Sequence, residues 1–99
     1  MHIKRLRPQS VAKLVASVGY RIGYAYLKKR DGSWRSMWFH SLIPQRLLAG
    51  GELPYNKTEK RISIVRDIMK EENDCIRAIR WDAVKILSVN GTTYIRKEI

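Results

Sequence analysis

The 99-residue, 11.6-kDa chain has room for one small domain with one core, and 44% apolar residues make wholesale disorder untenable. Twenty Lys and Arg stand against nine Asp and Glu, a net charge of +11 and a pI near 10.2, which points to a polyanionic partner. The charge is uneven: residues 1–46 hold ten basic side chains against Asp31 alone, a balance of +9, whereas residues 47–99 hold ten basic against eight acidic, or +2.

In chain order, Met1 to Arg7 is a short basic segment ending at Pro8, read as an edge strand or a basic arm over residues 1–8. Val11, Leu14, Val15 and Val18 then recur at helical spacing, with Ser10 placed to cap and Gly19 to terminate, which predicts an amphipathic helix over 10–18. At nine residues it needs a face to pack on. Tyr20 to Tyr26 switches to period two, and Tyr20, Ile22, Tyr24 and Tyr26 are expected on one face of a strand. Asp31-Gly32 suits a type I′ turn into a second strand from Trp34 to Phe39. With a two-residue loop, Lys28 faces Arg35, Tyr26 faces Met37 and Tyr24 faces Phe39. Tyr24, Tyr26, Met37 and Phe39 then share one side, and Ala25, Leu27, Trp34 and Trp38 share the other.

Ser41 to Ala49 reads as a connector with one helical turn at most, and Ala49 to Asn56 as a loop between two halves of one domain. Arg61 to Met69 fits helix and strand alike on local pattern. Lys70 to Asp74 is a polar turn, and Ile76 to Trp81 alternates as a strand. Val84 to Val89, Asn90-Gly91 and Thr92 to Arg96 form a second hairpin.

Lys28-Lys29-Arg30-Asp31-Gly32-Ser33-Trp34-Arg35-Ser36-Met37, then Leu42-Ile43-Pro44, then Ile62 to Asp67, then Ile76 to Leu87 resembles a family of small SH3-like β-barrel proteins common in bacteriophages and bacterial mobile elements. The resemblance spans roughly residues 24–89 and departs from the family pattern at Arg30, an extra residue in the first turn, and in a long Gly50 to Lys60 loop. It implies a strand at Arg61 to Met69 and a mainly β fold. The expected architecture is a closed SH3-like barrel of five to six antiparallel strands over residues 20–97, preceded by one short helix. Leu27 or Tyr26, Met37, Ile43, Ile64, Ile79, Val84 and Leu87 are expected to fill the interior. A barrel of this size leaves no room for a buried cofactor.

Functional expectations follow from the charge. Arg21, Lys28, Lys29, Arg30, Trp34, Arg35 and Trp38 combine cations with planar rings on or near the first hairpin, and Lys4, Arg5 and Arg7 add a basic arm. Lys and Arg track phosphates while rings stack on bases, so DNA or RNA is the expected partner. An acidic host protein bound by a phage-type interaction module is the alternative. Trp38 is read as a core ring under the helix, whereas Trp34, beside the turn, fits either a core or a binding role. Asp67 and Asp82 are expected to pair with Arg66, Arg77 or Arg80 across neighbouring strands. Cys75 alone forms no internal disulfide, and with His2 and His40 it makes no zinc site. No glycine-rich phosphate loop or nucleophile triad is present. The chain therefore reads as a non-enzymatic, cytoplasmic protein in a reducing compartment, without metal or cofactor. No apolar run spans a bilayer.

Overall fold

The computed structural model describes residues 2–44 and 61–97. Seven strands, β1 (His2–Arg5), β2 (Gly23–Lys28), β3 (Trp34–His40), β4 (Ile62–Asp67), β5 (Ile76–Arg80), β6 (Val84–Val89) and β7 (Thr92–Ile95), and one helix, α1 (Val11–Ala16), make it mainly β. The sheet order is β1-β7-β6-β2-β3-β4-β5, antiparallel throughout except for the parallel β1–β7 pair. The expected closed barrel of five or six strands is replaced by a seven-stranded sheet that is not closed. Among the described residues β1 and β5 are the two ends of the ladder and do not pair with each other.

The sheet nevertheless curls. Only Phe39↔Asp67 and His40↔Arg66 join β3 to β4, and a bulge at Tyr26/Leu27 bends β2 against β6. The curl brings β5 back to the first hairpin, where Arg80 Nη2 donates to the Lys28 carbonyl at 3.1 Å. Leu27, Met37, Phe39, Val65, Ile79, Val84 and Leu87 meet in one buried cluster. Full burial of each such side chain contributes about 1.5–3 kcal/mol.

Of the two readings of the N-terminal segment, edge strand or basic arm, the structure shows the edge strand, followed by an anchor. β1 is exposed, but Leu6 is fully buried and its N–H donates to the Ile95 carbonyl at 2.8 Å. A 3₁₀ turn, Pro8–Ser10, leads into α1, so the helical segment is shorter than 10–18, and Ser10 is itself helical and makes no side-chain cap. Val11, Val15 and Val18 are buried as the periodicity requires, and Gly19 ends the segment at φ +61°. α1 packs against β4 rather than over Trp38.

The first hairpin departs from expectation by one residue. Lys29 N–H donates to the Ser33 carbonyl at 2.7 Å and Gly32 N–H to the Lys29 carbonyl at 3.0 Å, so Arg30, Asp31 and Gly32 form a three-residue loop. Gly32 alone has positive φ, at +90°. Asp31 Oδ1 accepts from the Ser33 N–H at 2.9 Å and the Ser33 hydroxyl at 2.6 Å, a side-chain turn that closes the loop without a second left-handed residue. The register becomes Lys28↔Trp34, Tyr26↔Ser36, Ala25↔Met37, Tyr24↔Trp38 and Gly23↔Phe39. Ala25, Leu27, Met37 and Phe39 therefore face the core, and Tyr24 and Tyr26 share the outer side with Trp34 and Trp38. Tyr20 and Ile22 lie before β2, exposed. The second hairpin turns at Asn90 (φ +51°) and Gly91 (φ +81°), the expected pair of left-handed residues.

Of the interior residues expected, Leu27, Met37, Ile64, Ile79, Val84 and Leu87 are buried, whereas Tyr26 and Ile43 are only partly so. Residues 45–60, which include most of the connector and the long loop, fall outside the described residues.

Candidate nucleic-acid interface

The first hairpin has two differently equipped sides. Its inner edge, together with the returning β5, forms a groove of about 610 Å3 lined by Leu27, Lys28, Lys29, Arg30, Arg35, Ile62, Ala78 and Arg80. Five of these eight residues are cations, and among the described residues no carboxylate lines the groove. Arg35 is directed here because its register partner is Leu27, on the core-facing side of the ribbon near its loop. Arg80 is held by its bond to the Lys28 carbonyl, which leaves its charge at the groove while fixing the plane of the guanidinium.

Asp31 sits at the loop tip with Lys29 Nζ 4.0 Å away. The Ser33 hydroxyl and then the Ser33 N–H hold its carboxyl below the ordinary value of 3.8. Its charge is thus committed to shaping the loop. Asp74 is likewise lowered, first by the hydrogen bonds from Arg77 and then by that guanidinium's charge, with Lys70 and Arg35 adding to it. The nearby acids are engaged with neighbouring groups of the protein.

The outer side carries rings. Trp34 is 41% and Trp38 44% exposed, so the placement of Trp38 in the core is corrected. Tyr26 and Trp34 stack with centroids 5.1 Å apart and planes at 8°, and Tyr24 and Trp38 lie 4.9 Å apart at 59°. Lys28 Nζ is 6.0 Å from the Trp34 centroid, placing one cation between the ring face and the groove. The Tyr24 and Ser36 hydroxyls hydrogen-bond at 3.0 Å.

A second cationic hollow of about 480 Å3 lies where β1 meets the helical segment, lined by Arg5, Arg7, Gln9, Ser10, Lys13, Leu14 and Tyr94. The nine expected contact residues are thereby sorted. Lys28, Lys29, Arg30 and Arg35 share the hairpin groove, Trp34 stands on the ring face beside it, and Arg5 and Arg7 join Lys13 in the second hollow. Lys4 lines neither hollow. Arg21 does not line them either; its guanidinium reaches the Ser17 carbonyl at 3.5 Å and its own carbonyl contacts His40 Nδ1 at 2.8 Å.

Sequence reasoning missed Arg80, Tyr24 and Tyr26 as contact candidates, and favoured the core for Trp38. The ring pairs were concealed by the one-residue change in loop length, and Arg80 by a long-range approach with no local signature. The acidic pairings also differ from expectation. Asp82 binds Arg61 at 3.1 Å, and Arg66 and Arg77 reach Glu72 and Asp74 instead. Asp67, 4% exposed, accepts the Met69 N–H at 3.0 Å and so caps the turn after β4. Trp81 donates its indole N–H to Ser63 Oγ at 2.9 Å, and Cys75 is buried with its thiol 3.4 Å from the Glu72 carbonyl.

Among the described residues no group of three or more His, Cys, Asp and Glu is placed to hold a metal ion, and no helix is long and apolar enough to cross a membrane. In comparisons with known proteins, no family model, curated protein or solved structure matches this chain.

Proposed function

We propose that this protein is a non-enzymatic nucleic-acid-binding module of SH3-like architecture that acts inside the cell. The observation that carries this reading is the hairpin groove, in which Lys28, Lys29, Arg30, Arg35 and Arg80 converge with no carboxylate among the described lining residues. Five cations around one groove repel one another, with Lys29 partly offset by Asp31 at 4.0 Å, and phosphates relieve that repulsion with release of counterions. The exposed rings beside the groove supply the second element of nucleic-acid recognition. The SH3-like reading, and with it a kinship to the phage and mobile-element family, is supported by the run β2 to β6. Strands β2, β3, β4 and β5 pair antiparallel in succession, a 3₁₀ turn at Trp81–Ala83 leads from β5 into β6, and β6 returns to pair antiparallel with β2.

A second reading, docking on an acidic host protein, is favoured by one observation. Tyr20, Ile22 and Leu42 are exposed near the far end of the hairpin, where the Leu42 N–H bonds the Gly19 carbonyl at 3.2 Å. Salt dependence separates the two. Under the nucleic-acid reading the logarithm of the binding constant falls linearly with the logarithm of salt, and each lost phosphate contact lowers the slope by about 0.7–0.9.

Two charge-matched variants locate the site. Lys29→Glu with Arg30→Glu is expected to flatten the slope and weaken binding severalfold more than Lys70→Glu with Lys97→Glu, which changes exposed lysines outside the groove. Equal losses from the two, with both folded, would mean that the protein acts as a diffuse positive particle. Lys85 and Arg96 make poor controls, because Lys85 Nζ donates to the Arg96 carbonyl at 2.7 Å and Arg96 donates to the Asp82 carbonyl.

A further inference from the structure

We infer that the nucleic acid this protein takes is single-stranded, with bases stacked on the outer ring face of the first hairpin and the phosphates turned over its edge into the cationic groove. The inference rests on the nucleic-acid reading and adds the form of the ligand. Four observations carry it. The outer face presents two ring pairs, Tyr26 with Trp34 and Tyr24 with Trp38, and both indoles keep two-fifths of their surface open. An indole can stack only on a base whose own face is uncovered, and within a duplex both faces of each base are covered by its neighbours.

The spacing agrees. Tyr24 and Tyr26 are two residues apart on one strand, about 6.6 Å, and Trp34 and Trp38 four residues apart, about 13 Å. Consecutive bases of a duplex strand lie about 3.4 Å apart, so consecutive bases seated one on each pair are drawn apart along an extended strand. The chemistry of the face agrees as well. A ribbon that reads a major groove needs Arg, Lys, Asn or Gln aimed at base edges. Here the outer side of β2 and β3 offers Tyr24, Tyr26, Trp34, Trp38 and Ser36, and its Lys28 ammonium lies over the Trp34 ring. Finally, Lys28 belongs to both surfaces, with its ammonium over the Trp34 ring and its chain lining the groove, which is where a backbone passing from base to phosphate would cross.

The test is a titration of the folded protein at fixed salt with a twelve-nucleotide oligothymidylate, a twelve-nucleotide oligouridylate and a mixed-sequence duplex of the same length. It is read by anisotropy of labelled probe and by quenching of intrinsic tryptophan fluorescence. Trp81, packed against the core and bonded to Ser63, supplies an unquenched background. The expected result is at least tenfold tighter binding of one or both single strands than of duplex, with quenching.

Trp34→Ala and Trp38→Ala are each expected to weaken single-strand binding by about tenfold and duplex binding by less than about twofold. Trp34→Phe and Trp38→Phe should keep most of the affinity. Thermal unfolding of each variant shows that it remains folded, and the quenching of the unaltered protein stands without any variant. Duplex binding as tight as single-strand binding, or Ala variants that keep their single-strand affinity, would overturn the inference and leave the nucleic-acid reading intact. Binding of none of the three probes would overturn both.

Discussion

Asp31 shows how one acidic residue can serve a basic surface. Its carboxylate takes two hydrogen bonds from Ser33, and these, with Lys29 nearby, hold its pKa below 3.8. A carboxyl whose folded pKa is depressed favours the folded loop above its unfolded pKa, and that contribution disappears as pH falls through the lower, folded value. The Ser33 amide resonance should therefore hold its position to below the ordinary carboxylate range and move only in stronger acid. An amide that shifts with a midpoint at or above 3.8 would contradict the geometry. Asp31→Asn keeps an acceptor for Ser33 while removing the tip's negative charge. It is expected to tighten polyanion binding by about two- to fivefold at low salt, with the gain fading as the Debye length shortens. Isothermal titration at two salt concentrations measures both effects.

Among the elements, β2 and β3 depend on a glycine for packing rather than for backbone freedom. Gly23 lies opposite Phe39, and a Cβ built on it would stand 2.6 Å from Cζ and 2.9 Å from Cε1 of a ring that is fully buried. The ring cannot retreat into a filled core, so Gly23→Ala is expected to cost about 1–3 kcal/mol. Gly32→Ala meets no atom within 4 Å and suffers only from φ +90°, a cost of about 1–2 kcal/mol. Denaturant unfolding of the two variants should differ in origin as well as size. Displacement of the Phe39 ring, seen as altered near-ultraviolet aromatic signals, is expected for Gly23→Ala and not for Gly32→Ala. The same two strands account for what sequence pattern misjudged in the hairpin. Period two alone left either face able to be the core, and the choice fell to a loop of three residues, set by Asp31's bonds to Ser33 rather than by the Asp-Gly pair alone. Once the register moved, Ala25 and Leu27 went inward and both tyrosines and tryptophans outward.

At the scale of the molecule, the chain's first and last segments are joined through Leu6. Its side chain is fully buried in the central cluster and its N–H bonds Ile95, so the edge strand β1 is fastened to the sheet at the point where the chain turns toward α1. Leu6→Ala is expected to destabilise the protein by about 2–5 kcal/mol. It should also raise amide exchange in β1 and β7, which the Leu6 N–H bond to Ile95 ties together, before that in β2 and β3. Uniform loss of protection across the sheet would show instead that β1 folds and unfolds with the whole. Local pattern and composition by themselves determined a mainly β domain with a short amphipathic helix, the turn at Asn90-Gly91, an N-terminal half of strongly positive charge, and Lys28, Lys29, Arg30 and Arg35 as its densest cluster. These are short-range properties, carried by periodicity, turn residues and the tally of charges. Only the tertiary structure decided that Leu6 is core, that Trp38 is not, that the sheet stays open at β1 and β5, and that Arg80 completes the groove. Each of those outcomes depends on segments distant along the chain coming together, through the β2–β3 register, the curl between β3 and β4 and the docking of α1 on β4, and no window of neighbouring residues carries that information.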